Sequence, residues 1–408
     1  MTTFSGLSVQ GWRQFSDIEL DLTAPVTILT GANGTGKTSV LNLLGKHYGW
    51  NTNFITTPHI SKRRKSKIWN DFISAITRDN LEDGSRIDFG TITYSDKSKC
   101  NLWAQNTSGP QYIPNYDNMK PVIGIHIPSH RPNNSYHSVA SIPTNPKSSQ
   151  QHYQEYQNIL LQTYGSSPRQ NPGLIQKQSL ISLALFGYGN EAVAKNPEYI
   201  SVFEGFQNII HHFLPADIGF QKIEIRMPEV VLKTSSGDFA LEAMSGGINA
   251  LFGIAWQIYM FGQDHEQVTV TIDEPENHLH PSMQRSLIPA LQSAFPQHKF
   301  IVATHSPFVV TSSRDAAVYG LYHDADRRVH STRLSERDLA GSPNKILRDI
   351  LNVPSTLPIW AEEAIAAAIR ESEGSSNEQR AAALWGRLEE LGITESIESI
   401  SEDSGEKN

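Results

Sequence analysis

Four short stretches of this sequence hold residue types suited to chemistry on a nucleotide phosphate. The first is Gly31-Ala32-Asn33-Gly34-Thr35-Gly36-Lys37-Thr38-Ser39. Glycines let backbone N–H groups converge on an anion, and a following helix start adds positive potential. Lys37 would reach the β- and γ-phosphates, and Thr38 would offer its hydroxyl to Mg²⁺. The second is Asp273-Glu274, at the end of an apolar run. Asp273 there would hold Mg²⁺ through water beside Thr38, and Glu274 would orient and deprotonate an attacking water. The third is His305, which ends another apolar run and would sense the γ-phosphate. The fourth is Ser245-Gly246-Gly247, which opens a very apolar helix. A second anion cradle on a chain that already has one makes sense if it faces a partner subunit's nucleotide.

These residues need elements to position them. Residues 26–30 read as a buried strand, and Val40, Leu41, Leu44 and Tyr48 mark one face of the helix after the glycine loop. Residues 4–22 read as two strands around the turn Gly11-Trp12-Arg13-Gln14-Phe15. The pattern predicts a helix over 68–76, hairpin strands at 87–89, 91–94 and 101–104, and a buried strand at 122–127 that exits through Pro128-Ser129-His130-Arg131. From 132 to 172 the chain is rich in Asn, Ser, Gln and Pro, with one helical patch at 153–164, and reads as an insertion with mobile ends. Helices at 174–186 and 199–213 follow, then strands at 223–225, 230–232 and 239–241. Strands at 268–272 and 300–304 bracket a helix from 282, which Pro289 should kink. Residues 317–334 read as a hairpin turning at His323-Asp324-Ala325-Asp326, and helices at 360–369 and 381–391 precede an acidic tail expected to be disordered.

The totals exclude several classes. The 408 residues suffice for a large core, and a net charge of −8 argues against a generally basic, nucleic-acid-coating surface. Cys100 is the single cysteine, which excludes an internal disulfide and a cysteine zinc site and fits a reducing cytoplasm. Met1-Thr2-Thr3-Phe4 lacks the build of a signal peptide, and no run approaches the roughly 18 apolar residues of a membrane span. A cytoplasmic protein with no membrane partner is expected. The basic run Lys62-Arg63-Arg64-Lys65-Ser66-Lys67 reads either as a contact to a phosphate backbone or as a solvated face. His278 and His280 lack a third ligand at metal-binding spacing.

In this order the motifs resemble an ABC-type ATPase head of the kind found in RecF, SMC and OLD-family proteins, a class also labelled AAA-family ATPase. Residues 31–38 correspond to Walker A, 245–247 to the signature motif, and 268–273 to Walker B. Glu274 corresponds to the catalytic glutamate, 276–281 to a D-loop in ExxLHP form, and His305 to the switch histidine. Residues 9–15 resemble the N-terminal segment whose arginine approaches the nucleotide, which points to Arg13. The resemblance implies an α/β fold: a mixed or parallel P-loop sheet, an antiparallel N-terminal β-subdomain and a helical insertion. It divides the chain into a first lobe (1–131), the insertion (132–215), a second lobe (216–335), C-terminal helices (336–391) and a tail (392–408). It implies ATP and Mg²⁺ as cofactors, catalysis by Glu274, His305 and Lys37, and an ATP-dependent homodimer or higher oligomer with nucleotide sandwiched between Walker A and a partner's signature. Two features depart from the pattern. No Q-loop glutamine is evident, Ser129-His130-Arg131 standing in its place, and the interval between lobes is too short for a long coiled coil. No nuclease domain is expected, since Asp324-Ala325-Asp326 reads as a turn. Stand-alone ATPases of this shape resemble subunits of two-component bacterial anti-phage systems, which implies a separately encoded effector, a nuclease or toxin. The alternatives are a RecF-like DNA-repair ATPase on duplex DNA and an ATP-locked scaffold.

Overall fold

The computed structural model describes all residues except 57, 61–66, 70–84, 106–109, 132–134, 143–144, 166–170, 354, 356, 372–381, 383–384, 387–388 and 391–408. Two compact units divide the chain, Met1–Leu339 and Ala340–Asn408. The Lys62–Lys67 run falls almost entirely outside the described residues, as does the acidic tail.

The first unit is built on strands β1 (Phe4–Trp12), β2 (Phe15–Asp21) and β3 (Val26–Gly31), followed by helix α1 (Lys37–Gly45). Short strands β4 (Phe54–Ile55), β5 (Pro58–Ile60) and β6 (Lys67–Trp69) precede β7 (Arg86–Tyr94), β8 (Lys99–Gln105), β9 (Gln111–Tyr112), β10 (Asn115–Asp117) and β11 (Gly124–Ile127). Helices α2 (Ser149–Gly165), α3 (Pro172–Tyr188) and α4 (Pro197–His211) form the insertion. Strands β12 (Phe220–Arg226), β13 (Glu229–Thr234) and β14 (Phe239–Ala240) make a separate small sheet. Then come α5 (Gly246–Gly262), β15 (Thr269–Asp273), α6 (Pro281–Ala294), β16 (Lys299–Ala303), α7 (Pro307–Val310), β17 (Ala317–His323) and β18 (Val329–Arg333).

Eleven strands join in one sheet, ordered β10-β8-β7-β1-β2-β18-β17-β3-β16-β15-β11. From β11 to β17 every neighbour is parallel, and from β2 to β10 every neighbour is antiparallel. This is the expected α/β architecture, with the N-terminal strands continuing the nucleotide sheet rather than packing as a separate layer. Every residue of β3, β11 and β15 is buried, as a parallel sheet covered on both faces requires. The carboxyl ends of β3, β15 and β16 therefore lie at one edge, and each releases its polar residues there.

Two expectations change. The helix predicted over 68–76 begins as strand: Lys67–Trp69 pairs with Pro58–Ile60, and 70–76 lie outside the described residues. The two strands predicted at 87–94 are one. Gly90 breaks the apolar alternation because a Cβ there would lie 2.6 Å from the Ser8 carbonyl, so the gap marks a close approach of β1. Pro289 lies inside α6, as expected. The predicted hairpin holds, with Asp324 Oδ1 accepting the N–H groups of Asp326 and Arg328.

The insertion is tied down by a buried cation. Lys177, on α3 and 1% exposed, donates to Glu229, to Glu242 at 2.7 Å and to the His137 carbonyl at 3.2 Å. Glu242 stands three residues before Ser245, so the pair fixes the entry to α5. In the C-terminal unit, a π-helical turn (Ile346–Ile350) precedes helix α9 (Ile359–Glu371), numbered after the short α8 (Glu336–Leu339) of the first unit. Ile359, Trp360 and Ile369 of α9 are exposed.

Burial also sets an acid limit. His126 on β11 packs its ring 4.8 Å from Trp50 and sits 2.9 Å from the Thr271 hydroxyl, which itself donates to Ile125. Burial holds its pKa down to about 3. Between that value and the ordinary 6.5 the unfolded chain binds a proton that the folded chain refuses. Stability is therefore lost as pH falls below 6.5, at roughly 1.4 kcal/mol per unit for one such group. Urea melts from pH 7 to pH 5 should show this loss, with a shallower slope in His126→Gln.

Candidate functional site

The glycine loop is shaped by its glycines. Gly31, Gly34 and Gly36 have φ of 143°, 82° and 91°. A Cβ on Gly31 would lie 2.4 Å from the Leu321 carbonyl, and one on Gly36 would lie 2.4 Å from the Phe15 ring. Thr35 closes the turn by donating its hydroxyl to the Ala32 carbonyl at 2.9 Å. Asn33, Gly34 and Thr38 are exposed at the rim, and Ser39 is half-buried. Lys37 is buried, its Nζ donating to the Gly31 and Ala32 carbonyls at 2.8 and 3.1 Å. Burial lowers the Lys37 pKa, while Glu274, Asp273 and Glu276 oppose that.

Across the loop stand the acids. Asp273 ends β15 and accepts the Thr38 hydroxyl on Oδ2 at 2.8 Å. Its Oδ1 is buried without a hydrogen-bond partner. Burial, with help from Glu274 and Glu276, raises its pKa to about 6 against the pull of Thr38 and Lys37. An orphaned carboxylate oxygen beside a hydroxyl is a donor set for a hard divalent cation, which takes few protein ligands and fills the rest with phosphate and water. Mg²⁺ fits these residues on that ground. Among the described residues no group of three or more His, Cys, Asp or Glu side chains is placed to hold a metal.

Glu274 follows with φ 46°, an uncommon left-handed conformation for a side-chain residue. Its N–H is pinned to the Ala303 carbonyl at 2.8 Å. Asn277 donates to its Oε2 at 3.0 Å, and His305 Nδ1 lies 3.5 Å from its Oε1. Arg131, just beyond β11, donates to the Glu274 carbonyl at 2.9 Å and the Asp273 carbonyl at 3.4 Å. The sequence places Arg131 at the polar exit of a buried strand, in the segment standing for a Q-loop. Its position at a strand exit on the ligand edge was the one signal for it. Glu276 was likewise read only as part of the D-loop, although its carboxylate is buried against Thr304 and His305.

Ser245 and Arg13, the remaining predicted residues, lie on other segments. Ser245 caps α5, its Oγ accepting the Ile248 N–H at 3.5 Å, and its recorded hydrogen bonds stay in that first turn. Ser245 and Gly246 are exposed, and a Cβ on Gly247 would lie 2.8 Å from the His278 carbonyl. The signature-like turn thus rests on the loop after β15 and turns its polar groups to solvent. Arg13 has φ 53°, and its guanidinium lies over Trp12 and Phe54, 5.8 and 5.6 Å from the ring centroids. From the same turn Gln14 donates to the Gly34 carbonyl at 3.2 Å, and Phe15 packs under Gly36.

A glycine loop before a helix, a hydrogen-bonded Thr38–Asp273 pair and the Glu274–His305 pair thus meet at one edge of a parallel sheet. Residues 46–310 match the AAA ATPase domain family, and the chain belongs to that family. Septu protein PtuA of Bacillus thuringiensis is 28% identical over 182 residues, covering 41% of this chain and 44% of that protein. Retron Ec83 probable ATPase of Escherichia coli is 33% identical over 109 residues, covering 27% of this chain and 20% of that protein. The matched stretches thus span less than half the length of either relative. Among solved structures, the SMC head domain from Thermotoga maritima overlaps 81% of this chain and 99% of its own, with a TM-score of 0.43 and 12% identity. No helix among the described residues is long and apolar enough to cross a membrane.

Proposed function

We propose that this chain binds and hydrolyses Mg-ATP in sites completed by a second copy of itself, and that the cycle controls a separately encoded effector. The Thr38–Asp273 hydrogen bond, with the second Asp273 oxygen unpartnered, carries the nucleotide reading. Lys37 would exchange the two loop carbonyls for phosphate oxygens. Thr38 and Asp273 would hold Mg²⁺, whose chemistry when bound is to neutralise charge on the β- and γ-phosphates. Glu274, its Oε2 held by Asn277, would take the proton of the attacking water, and His305 would face the γ-phosphate. The Ser245-Gly246 turn is exposed at the start of a long helix, which supports a nucleotide shared between two copies. The names of the relatives, a Septu protein and a retron ATPase, support a place among the ATPases of bacterial anti-phage systems.

Mixing two inactive variants tests the shared site. Lys37→Ala removes the cradle's cation, and Ser245→Arg blocks the facing turn. A mixed dimer rebuilds one intact site, so ATP hydrolysis should return on mixing. Failure to recover, with both variants folded, would discard the composite site. Co-expression with adjacent genes and mass measurement of the purified complex should reveal the effector.

A further inference from the structure

Three carboxylates crowd the loop after β15, and the reading above uses two. Glu276 is the third, and it is only 5% exposed. Its Oε1 accepts the Thr304 hydroxyl at 2.6 Å and the His305 N–H at 3.0 Å. Thr304 is fully buried at the end of β16, and its hydroxyl oxygen accepts the Ser306 N–H at 3.0 Å. Glu276 thereby holds the backbone on both sides of the peptide that carries His305.

The imidazole shows the same bias. His305 Nδ1 lies 3.8 Å from Glu276 Oε1 and 3.5 Å from Glu274 Oε1. A ring nitrogen facing two carboxylates is favoured as the N–H form, because a lone pair there would be repelled. Nε2, across the ring, is then left as the acceptor on the side turned away from the carboxylates. Burying a carboxylate is costly, and two neutral donors do not require a charge to accept them. Glu276 Oε2 is buried without a hydrogen-bond partner. The His305 ring, with Nδ1 3.8 Å from Oε1, lies within reach of that carboxylate.

We infer that Glu276 is a positioning residue for His305: it anchors the strand end and holds the imidazole proton on Nδ1. This rests on the ATPase reading for its kinetic consequence but not for its structural one.

Wild type, Glu276→Gln and Glu276→Ala distinguish the outcomes. The glutamine still accepts both hydrogen bonds and guards against an unfolded alanine variant. For Glu276→Ala, kcat should fall ~100-fold while KM for ATP stays within about threefold, as for an interaction felt mainly in the transition state. Glu276→Gln should recover at least ~10-fold of that loss, because the anchor survives. Selective ¹⁵N labelling of histidine, with His305 assigned through His305→Gln, should show the Nδ1–H tautomer in wild type and a mixture in Glu276→Ala. Wild-type kcat in Glu276→Ala, a KM change as large as the kcat change, a glutamine variant no better than alanine, or an unchanged His305 ¹⁵N pattern would each overturn the assignment. The magnetic-resonance measurement needs no nucleotide. A wild-type protein that leaves ATP intact would sink the ATPase reading and still allow Glu276 to be judged.

Discussion

Glu274→Gln should bind ATP and leave it uncleaved. Glutamine matches glutamate in shape, so the contact with Asn277 and the left-handed backbone at φ 46° carry over with little change. What it loses is the capacity to accept a proton at neutral pH. A positioned general base contributes about 10²–10⁴ in rate, and kcat should fall by that much. ATP affinity should hold within a few-fold, because in the proposed site Glu274 would face the attacking water and not the phosphates. A hydrolysis-deficient copy that still binds nucleotide should also accumulate as a dimer when Mg-ATP is present. Phosphate release and light-scattering mass, measured on the same preparation, check both halves. A variant that turns over at the wild-type rate would remove Glu274 from the chemistry, and one that stays monomeric with ATP bound would remove the dimer.

Lys37→Ala acts one step earlier. The ammonium is buried and already donates to two carbonyls of the loop that would wrap the phosphates. Its burial costs free energy in the nucleotide-free chain, which a triphosphate would repay. Removing one partner of a buried, hydrogen-bonded charge pair costs about 2–5 kcal/mol. At 1.4 kcal/mol per decade this is roughly a 30- to several-thousand-fold loss of ATP affinity. Circular dichroism should show the fold retained, since Asp273 keeps the Thr38 hydroxyl and Glu276 keeps Thr304 and the His305 N–H. Titration calorimetry with ATP and Mg²⁺ reads the loss directly. Affinity within threefold of wild type would mean that the glycine loop is not the phosphate cradle.

Both experiments address residues visible in the amino-acid order, and the reason is local. A left-handed glycine, a strand just before it and a helix just after it are short-range features. The sequence alone therefore determined that a glycine loop joins a buried strand to a helix, that Asp273 and Glu274 leave a buried strand, and that His305 leaves another. Apolar runs bounded by glycine or polar residues carry that information with no need of distant partners. Interactions between remote segments are not written in any window. Gly90 reads as a break between strands because the close approach of β1 lies far off in the chain, and the pattern over 68–76 reads as helix although Lys67–Trp69 pairs as strand with Pro58–Ile60. The turn at 11–15 was legible as a turn, but the sign of φ at Arg13 was not. That left-handed residue sends its guanidinium over Trp12 and Phe54 while Gln14 reaches the loop. The contacts that orient Glu274 and His305, Arg131 on the Glu274 carbonyl and Glu276 on the His305 N–H, span gaps of 143 and 29 residues. Only the tertiary structure decided them, because the order of strands in the sheet, and not the order of residues in the chain, sets which strand ends meet.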